Sequence, residues 1–300
     1  MPTTAVIINA GSGADSDTDE LKQRLLEAFG ANGVETEITI AESGEEIVEA
    51  AKQAARSDYK IIVAGGGDGT VSAVASEIIG TDKTLGVLPL GTLNHFAKDL
   101  QIPLDMEEAV RVISKNHTRE VDVGEINGRI FINNSSIGLY PNIVRQRERH
   151  QKSGYGKWAA FVRATIETVR RYTPLHVKLK IEGKEIMRRT PVVFVGNNEY
   201  EMDIFNVGGR KCLDAGKLSL YLLHRTGKFG LLRIALRTLF GRLRQAKDFE
   251  AFCIEEIKIE TRRKRLPVAF DGEVETMNAP LCYRVRPLAL RVIVPENSEK

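Results

Sequence analysis

Apolar and polar positions alternate in two different ways along this chain. In the first 118 residues, short apolar runs are separated by amphipathic stretches with a helical period. "TAVIINA", "VETEITIA", "KIIVAG" and "TLGVLPLG" read as strands, and Asp19–Gly30, Glu45–Arg56 and Val71–Ile79 read as the helices between them. A strand-helix-strand order with short glycine-rich links predicts a parallel, doubly wound sheet. Ligands of such sheets bind at the carboxyl ends of the strands. That places the interest on Asn9–Gly13, Gly65–Thr70 and Pro89–Asn94, each of which follows a predicted strand.

Beyond about residue 118 the period shortens to two. "REVDVGEINGRIFINNSS" and "HVKLKIEGKEIMRRTPVVFVGN" each hold two runs joined at Asn127-Gly128 and Glu182-Gly183, which are hairpin signals. "KLSLYLLH", "FCIEEIKIET", "LPVAFDGEVE" and "LCYRVRPLALRVIV" continue the pattern. An antiparallel, sandwich-like β domain is expected, interrupted by helical stretches near Pro141–Tyr172 and Gly230–Lys247.

Composition narrows this picture. With 300 residues and 42% hydrophobic content, two folded domains are favoured over one. The net charge of +3 makes any preference for anions a local property. Cys212, Cys253 and Cys282 are too scattered for a zinc site or a disulfide framework, so a reducing cytosol is expected. "MPTTAVIINAG" lacks the basic start of a secretory signal, and no apolar run approaches the roughly 20 residues of a membrane span. Only the end, "ENSEK", reads as disordered.

The candidate chemistry begins with "GGGDGT", Gly65, Gly66, Gly67, Asp68, Gly69 and Thr70. Glycines permit positive φ and remove the Cβ that would block a ligand. Successive backbone amides there, with the next helix N-terminus, can cradle phosphate oxygens. Asp68 beside phosphates then calls for a cation such as Mg²⁺; the plainer reading is a strand-to-helix turn capped by Asp68. The stretch fits neither the dinucleotide fingerprint nor the P-loop. Gly91, Thr92 and Asn94 suit a second phosphate or ribose contact, or an ordinary capped turn. "NAGSG" offers Asn9 and Ser12 in the same two ways. In "FDGEVE", Asp271 and Glu273 would share a face on a regular strand and could converge through Gly272 on a turn; they are a base and metal-support pair or simply a hairpin turn. His117, His150, His176 and His224 show no ligand spacing.

"GGGDGT", "LPLGTLNHFAKDL", "NNSSIGLYPNIV" and "FDGE", in that order over nearly the whole chain, resemble the diacylglycerol kinase catalytic-domain family, and most of all its soluble bacterial lipid kinases. The resemblance implies an α/β nucleotide-binding domain over residues 1–122, completed by about 288–300, and a C-terminal antiparallel β-sandwich substrate domain over 123–287. It implies ATP and Mg²⁺ as cofactors, with ATP and substrate meeting between the domains. Gly65–Thr70 would match the ATP-phosphate loop, and Gly91, Thr92 and Asn94 the second nucleotide loop. Asn9 and Ser12 would match a first loop, Asp271 the general base, Glu273 its acidic companion, and Asp122 an acidic position of the cleft network.

This chain departs from that family's pattern at three places. Ala10 stands where proline is usual, which predicts a looser loop. His95 replaces an aspartate. Ala215 occupies the place of an aspartate that holds a structural Mg²⁺ in some relatives, leaving Asp214 one residue earlier. On this reading Asp271→Asn should lower turnover with little loss of fold.

The implied acceptor is a diacylglycerol-like lipid met at a membrane surface. The other readings are a kinase for another acceptor (a sphingoid base, another lipid alcohol or NAD) and a non-catalytic nucleotide sensor that docks on membranes. "GLLRIALRTLFGRLR", 230–244, reads as an amphipathic helix with Arg233, Arg237 and Arg244 opposite its leucines and Arg242 near them, either packed on its own β domain or lying at an anionic bilayer surface, and Trp158 lies in a second basic stretch. "RRKR", 262–265, reads as a solvated strand end. No basic-aromatic nucleic-acid motif is present, so no nucleic-acid partner is expected. No stable protein partner is signalled, and a homodimer stays open. The expected location is the cytoplasm or the inner face of its membrane.

Overall fold

The computed structural model describes residues 3–12, 18–152, 163–164, 166–168, 170, 173–181, 183–198, 213–223 and 249–296, apart from the side chains of 147, 148, 151, 152 and 249. The predicted helix Gly230–Lys247 with its arginines, and also Trp158, His224, Cys212 and Gly13, lie outside the described residues. The chain divides into two compact units. Unit one is Met1–Val123, Cys212–Asp214 and Arg286–Lys300; unit two is Gly124–Lys211 and Ala215–Val285.

Unit one runs β1 (Thr4–Asn9), α1 (Thr18–Ala31), β2 (Thr36–Ala41), α2 (Gly44–Arg56), β3 (Ile61–Gly66), α3 (Asp68–Ile78), β4 (Thr84–Pro89), α4 (His95–Asp99) and α5 (Met106–Lys115), then enters β5 (Thr118–Ile126). The strands form a parallel sheet in the order β2-β1-β3-β4. Val6, Ile8, Ile62, Val63, Leu85 and Leu88 are fully buried, as expected for parallel strands covered on both faces. Ser43 caps α2 by accepting from the Glu46 amide at 3.2 Å, and Asp105 caps α5 by accepting from Glu108 at 3.0 Å. The α5 helix is absent from the hydrophobic-pattern reading, although Asp105 and the αL residue Asn116 bracket it. Because β1 has β2 on one side and β3 on the other, the winding reverses at β1. The switch point therefore lies between the ends of β1 and β3.

Unit two continues with β6 (Arg129–Phe131), β7 (Asn134–Gly138), α6 (Leu139–Lys152), β8 (Leu175–Ile181), β9 (Lys184–Thr190), β10 (Val192–Asn197), β11 (Leu218–Leu223), β12 (Phe249–Ile254), β13 (Glu256–Thr261), β14 (Arg265–Phe270), β15 (Glu273–Asn278) and β16 (Leu281–Ile293). One sheet is β12-β11-β10-β7-β14-β15, antiparallel throughout. In the other, the first part of β16 pairs with β13, then β8 and β9, all antiparallel. Ile137, Val195, Leu220 and Val268 of the first sheet share one buried cluster with Leu179, Ile259 and Tyr283 of the second, which makes the unit a sandwich. Burial pushes the Tyr283 phenol above its ordinary pKa, and its hydroxyl lies 3.1 Å from Ser135 Oγ. "FCIEEIKIET" is two strands, β12 and β13, which belong to different sheets. The last part of β16 belongs to unit one, where Val292 lies parallel beside Leu85 of β4.

Candidate active site

The sheet register sets the first part of the site. Ile8 pairs with Gly65, and Gly66 with Pro89, so the carboxyl ends of β1, β3 and β4 lie level. The loops leaving them meet. Asn9 donates from Nδ2 to Thr70 Oγ1 at 3.2 Å, which joins the ends of β1 and β3 across the switch point. Asn9 Oδ1 also accepts from the Gly11 amide at 2.9 Å, and the Ser12 amide donates to the Asn9 carbonyl. The Ala10 amide donates to the Ala41 carbonyl at 2.9 Å, a bond that proline could not make. The loop is therefore tied at that position, contrary to the looser loop expected from the missing proline.

The "GGGDGT" stretch is less of a loop than its composition suggests. Gly65 and Gly66 end β3, Gly67 precedes α3, and Asp68–Thr70 already form the first turn of that helix. None of Gly65, Gly66, Gly67 and Gly69 has a positive φ, so conformational freedom is not why they are glycines. Close packing is the reason for two of the site's glycines. A Cβ on Gly66 would fall inside contact distance of the Thr70 side chain. A Cβ on Gly91 would do the same to the Gly67 backbone and would lie 2.7 Å from Asn94 Oδ1. Gly67 differs: a Cβ there would meet only Gly91 Cα, at 3.5 Å, an ordinary contact.

Asp68 joins the second loop to the third. Its two carboxylate oxygens accept from the backbone amides of His95 and Phe96, at 3.1 and 3.0 Å. It caps α4 rather than its own helix, and His95 takes part in this bonding through its backbone. Gly67 supplies no side-chain cap to α3. Asn94, buried and with φ of 50°, holds the third loop: Nδ2 donates to the Pro89 and Gly91 carbonyls, and Oδ1 accepts from the Gly91 amide at 3.0 Å. Thr92 is exposed on the same loop. Asn9, Gly66, Gly67, Asp68, Thr70, Gly91 and Asn94 thus form one connected group.

Asp122 and Asp214 are not among the bonds of that group. The Asp122 carboxylate, almost fully buried, accepts from the Leu288 amide at 2.9 Å, and its own amide donates to the Leu213 carbonyl. Asp214 forms an ion pair with Arg119 at 2.6 Å. Among the described residues, no three His, Cys, Asp or Glu side chains gather closely enough to hold a metal ion.

Asp271 is the central group in unit two. It and Gly272 form the two-residue turn between β14 and β15, with φ of 46° and 92°, the left-handed pair of a type I′ hairpin. Phe270 pairs with Glu273 across the turn, so Asp271 and Glu273 do not share a strand face. Asp271 is 7% exposed and Glu273 is exposed. The Asp271 carboxylate accepts from three backbone amides of the β6–β7 link: Ile132 at 2.7 Å, Asn133 at 2.9 Å and Asn134 at 3.0 Å. Asn197 fixes the same link, donating from Nδ2 to the Ile132 carbonyl and from its amide to that of Asn133. Sequence reasoning missed these partners. Backbone donors leave no side-chain signature, and the doubled asparagine in "NNSS" was the one local cue.

Residues 3–126 match the diacylglycerol kinase catalytic domain, and residues 142–294 match the YegS C-terminal NAD kinase β-sandwich-like domain. A diacylglycerol kinase of Bacillus subtilis (strain 168) is 26% identical over 276 residues, covering 91% of this chain and 90% of the relative. A diacylglycerol kinase of Staphylococcus carnosus (strain TM300) is 29% identical over 60% of this chain and 58% of its own length. A solved structure of a diacylglycerol kinase from Bacillus anthracis str. Sterne superposes with a TM-score of 0.72 at 20% identity, covering 99% of this chain and 98% of the other. A second structure from that organism gives 0.78 at 24% identity, with 99% of both chains covered. The chain belongs to the diacylglycerol kinase family of phosphotransferases with an alcohol group as acceptor, its catalytic domain joined to a YegS-type β-sandwich domain.

Proposed function

We propose that this protein transfers the γ-phosphoryl group of ATP to the hydroxyl of a diacylglycerol-like lipid. The observation that carries the proposal is the hydrogen-bonded junction of the three loops at the switch point of the parallel sheet. Asn9, Thr70, Asp68 and Asn94 fix backbone at the place where open α/β sheets bind ligands. The first turn of α3 lacks a side-chain cap, and Gly67 leaves open the space a side chain would fill. Amides of Gly67–Thr70 would hold ATP phosphates there, with Asn9, Ser12, Gly91 and Thr92 around the nucleotide.

Mg²⁺ would be held by the nucleotide's phosphates, since no protein trio is ready to bind it among the described residues. When bound it would neutralise charge on the phosphates. Asp68, engaged with the α4 amides, holds the loops in register beside that charge. Asp271 accepts the proton of the lipid hydroxyl. Three amide bonds fix the direction of its carboxylate. In phosphoryl transfer most of the catalysis is positioning and electrostatics, so a rigidly aimed acceptor suffices.

The test is transfer of labelled γ-phosphate from Mg-ATP to diacylglycerol and other lipid alcohols in mixed micelles. Labelled phosphatidic acid is the expected product. ATP binding without a labelled lipid from any acceptor would overturn the proposal.

A further inference from the structure

Along β8 the burial alternates, with Val177, Leu179 and Ile181 in the sandwich core and His176, Lys178 and Lys180 on the opposite face. The register sets His176 beside Arg189 of β9, and Thr261 of β13 beside Val177. Arg262, the next residue, therefore follows in the His176 row. An open groove of about 390 Å³ on this face is lined by His176, Lys178, Met187, Arg189, Glu260 and Arg262, among others.

The charges at the two ends of the face are handled differently. At one end they are balanced: Lys178 pairs with Glu185 at 2.8 Å and Lys180 with Glu260 at 2.9 Å. At the edge, Arg188 is bound to Glu250 by two bonds of 2.7 Å. At the other end Arg189 and Arg262 have no ion pair among the described residues. The same holds for Arg263 and Lys264, exposed on the turn that follows β13, and for Arg265, exposed at the start of β14. Desolvation, and then the charges of Arg262 and Arg189, hold the His176 pKa below its ordinary value. Met187 stands among them with 75% of its surface exposed.

A sheet face of this kind suits an extended surface better than a small ligand. Unbalanced cations draw an anionic surface, and a flexible thioether among them can enter its apolar layer. Stacking of bases is served best by Phe, Tyr or Trp, and none of these lines the groove. We propose that the exposed face of β8, β9 and β13, with the Arg262–Lys264 turn and Arg265 beside it, docks this protein onto an anionic lipid bilayer. The lipid-kinase reading supplies the reason to visit a bilayer; the docking itself rests on the charges and Met187.

The test is co-sedimentation of the full chain with phosphatidylcholine vesicles, with and without a phosphatidylglycerol fraction, at low and high salt. The same preparations are assayed on a soluble short-chain diacylglycerol without vesicles. The wild type should bind only the anionic vesicles, and less so in salt. The double variant Arg189→Glu/Arg262→Glu should lose on the order of tenfold or more in vesicle affinity. Met187→Glu should lose less. Both should keep the wild-type melting temperature and turnover of the soluble acceptor. Undiminished vesicle binding by the folded double variant would overturn the proposal, as would a wild type that ignores anionic vesicles. Equal retention on a DNA duplex, lost in the same variant, would reassign the face to nucleic acid. Arginine-dependent vesicle binding by a wild type with no turnover of any diacylglycerol would remove the kinase reading and leave the docking face standing.

Discussion

Asp68 and Asp271 are held in the same way and differ in what holds them. Each carboxylate accepts from backbone amides of a segment distant in sequence, two for Asp68 and three for Asp271. Asp68 is half-buried in the first turn of a helix, where the helix dipole favours an anion. Asp271 is buried on a left-handed turn residue between two strands. The contrast teaches that both acidic residues chosen for their chemistry also hold the architecture together. Asp271 carries the larger share, because burial makes each of its bonds harder for water to replace.

The largest effect that can break this comparison is expected at Asp271→Asn. Oδ1 receives two amides and Oδ2 receives the third, so an Asn Nδ2 must face at least one buried N–H. A loss of about 2–3 kcal/mol in urea unfolding is expected, with a fall in turnover on the order of 10²-fold or more. This revises the expectation of little loss of fold that the sequence supports. Asp68→Asn should lose only about 1 kcal/mol, since water reaches its site. Equal losses at the two positions would erase the distinction, and wild-type turnover in folded Asp271→Asn would take the base role from this residue.

The glycines allow the same separation of scaffold from ligand contact within unit one. Gly67 and Gly91 touch each other, yet a side chain fits at one and not at the other. Gly91→Ala should destabilise by about 1–3 kcal/mol, because backbone has to shift. Gly67→Ala should leave the melting temperature almost unchanged while weakening ATP binding about tenfold or more, because its methyl group would occupy space assigned to phosphate. Calorimetric ATP titration of both variants decides. Unaltered affinity in Gly67→Ala would mean that the phosphates do not pass over that residue.

What was legible in the sequence follows the range of the forces involved. The strand-helix alternation and the period-two region depend on burial, which side-chain pattern reports directly, and they give the parallel sheet and the sandwich. Asn127-Gly128, Glu182-Gly183 and Asp271-Gly272 predict their turns because only a few residues tolerate left-handed backbone. The purpose of the glycines was not legible, because whether a missing Cβ makes room for a ligand or for Gly67 against Gly91 depends on tertiary distance. The partners of Asp68 and Asp271 were hidden for another reason. They are peptide amides, 27 and about 138 residues away, and every residue but proline carries one. The short helix α5 shows the opposite failure, a local signal of good quality that the apolar pattern alone passed over.

The smallest effect concerns the bond that joins the ends of β1 and β3. Thr70→Val keeps the shape of a 5% exposed side chain and removes the acceptor that Asn9 Nδ2 reaches at 3.2 Å. Asn9 is half-buried, so water can replace part of the loss, and about 0.5–1 kcal/mol of stability should go. The first loop keeps its Ala10–Ala41 bond and the Gly11 amide on Asn9 Oδ1, so its position should persist. KM for ATP should therefore rise only a few-fold with kcat nearly constant, as for a group that serves ground state and transition state alike. A rise of tenfold or more, with stability retained, would mean that Thr70 or Asn9 touches the nucleotide itself. The first-turn group at the glycine loop would then be as much a ligand contact as Asp271 is a structural one.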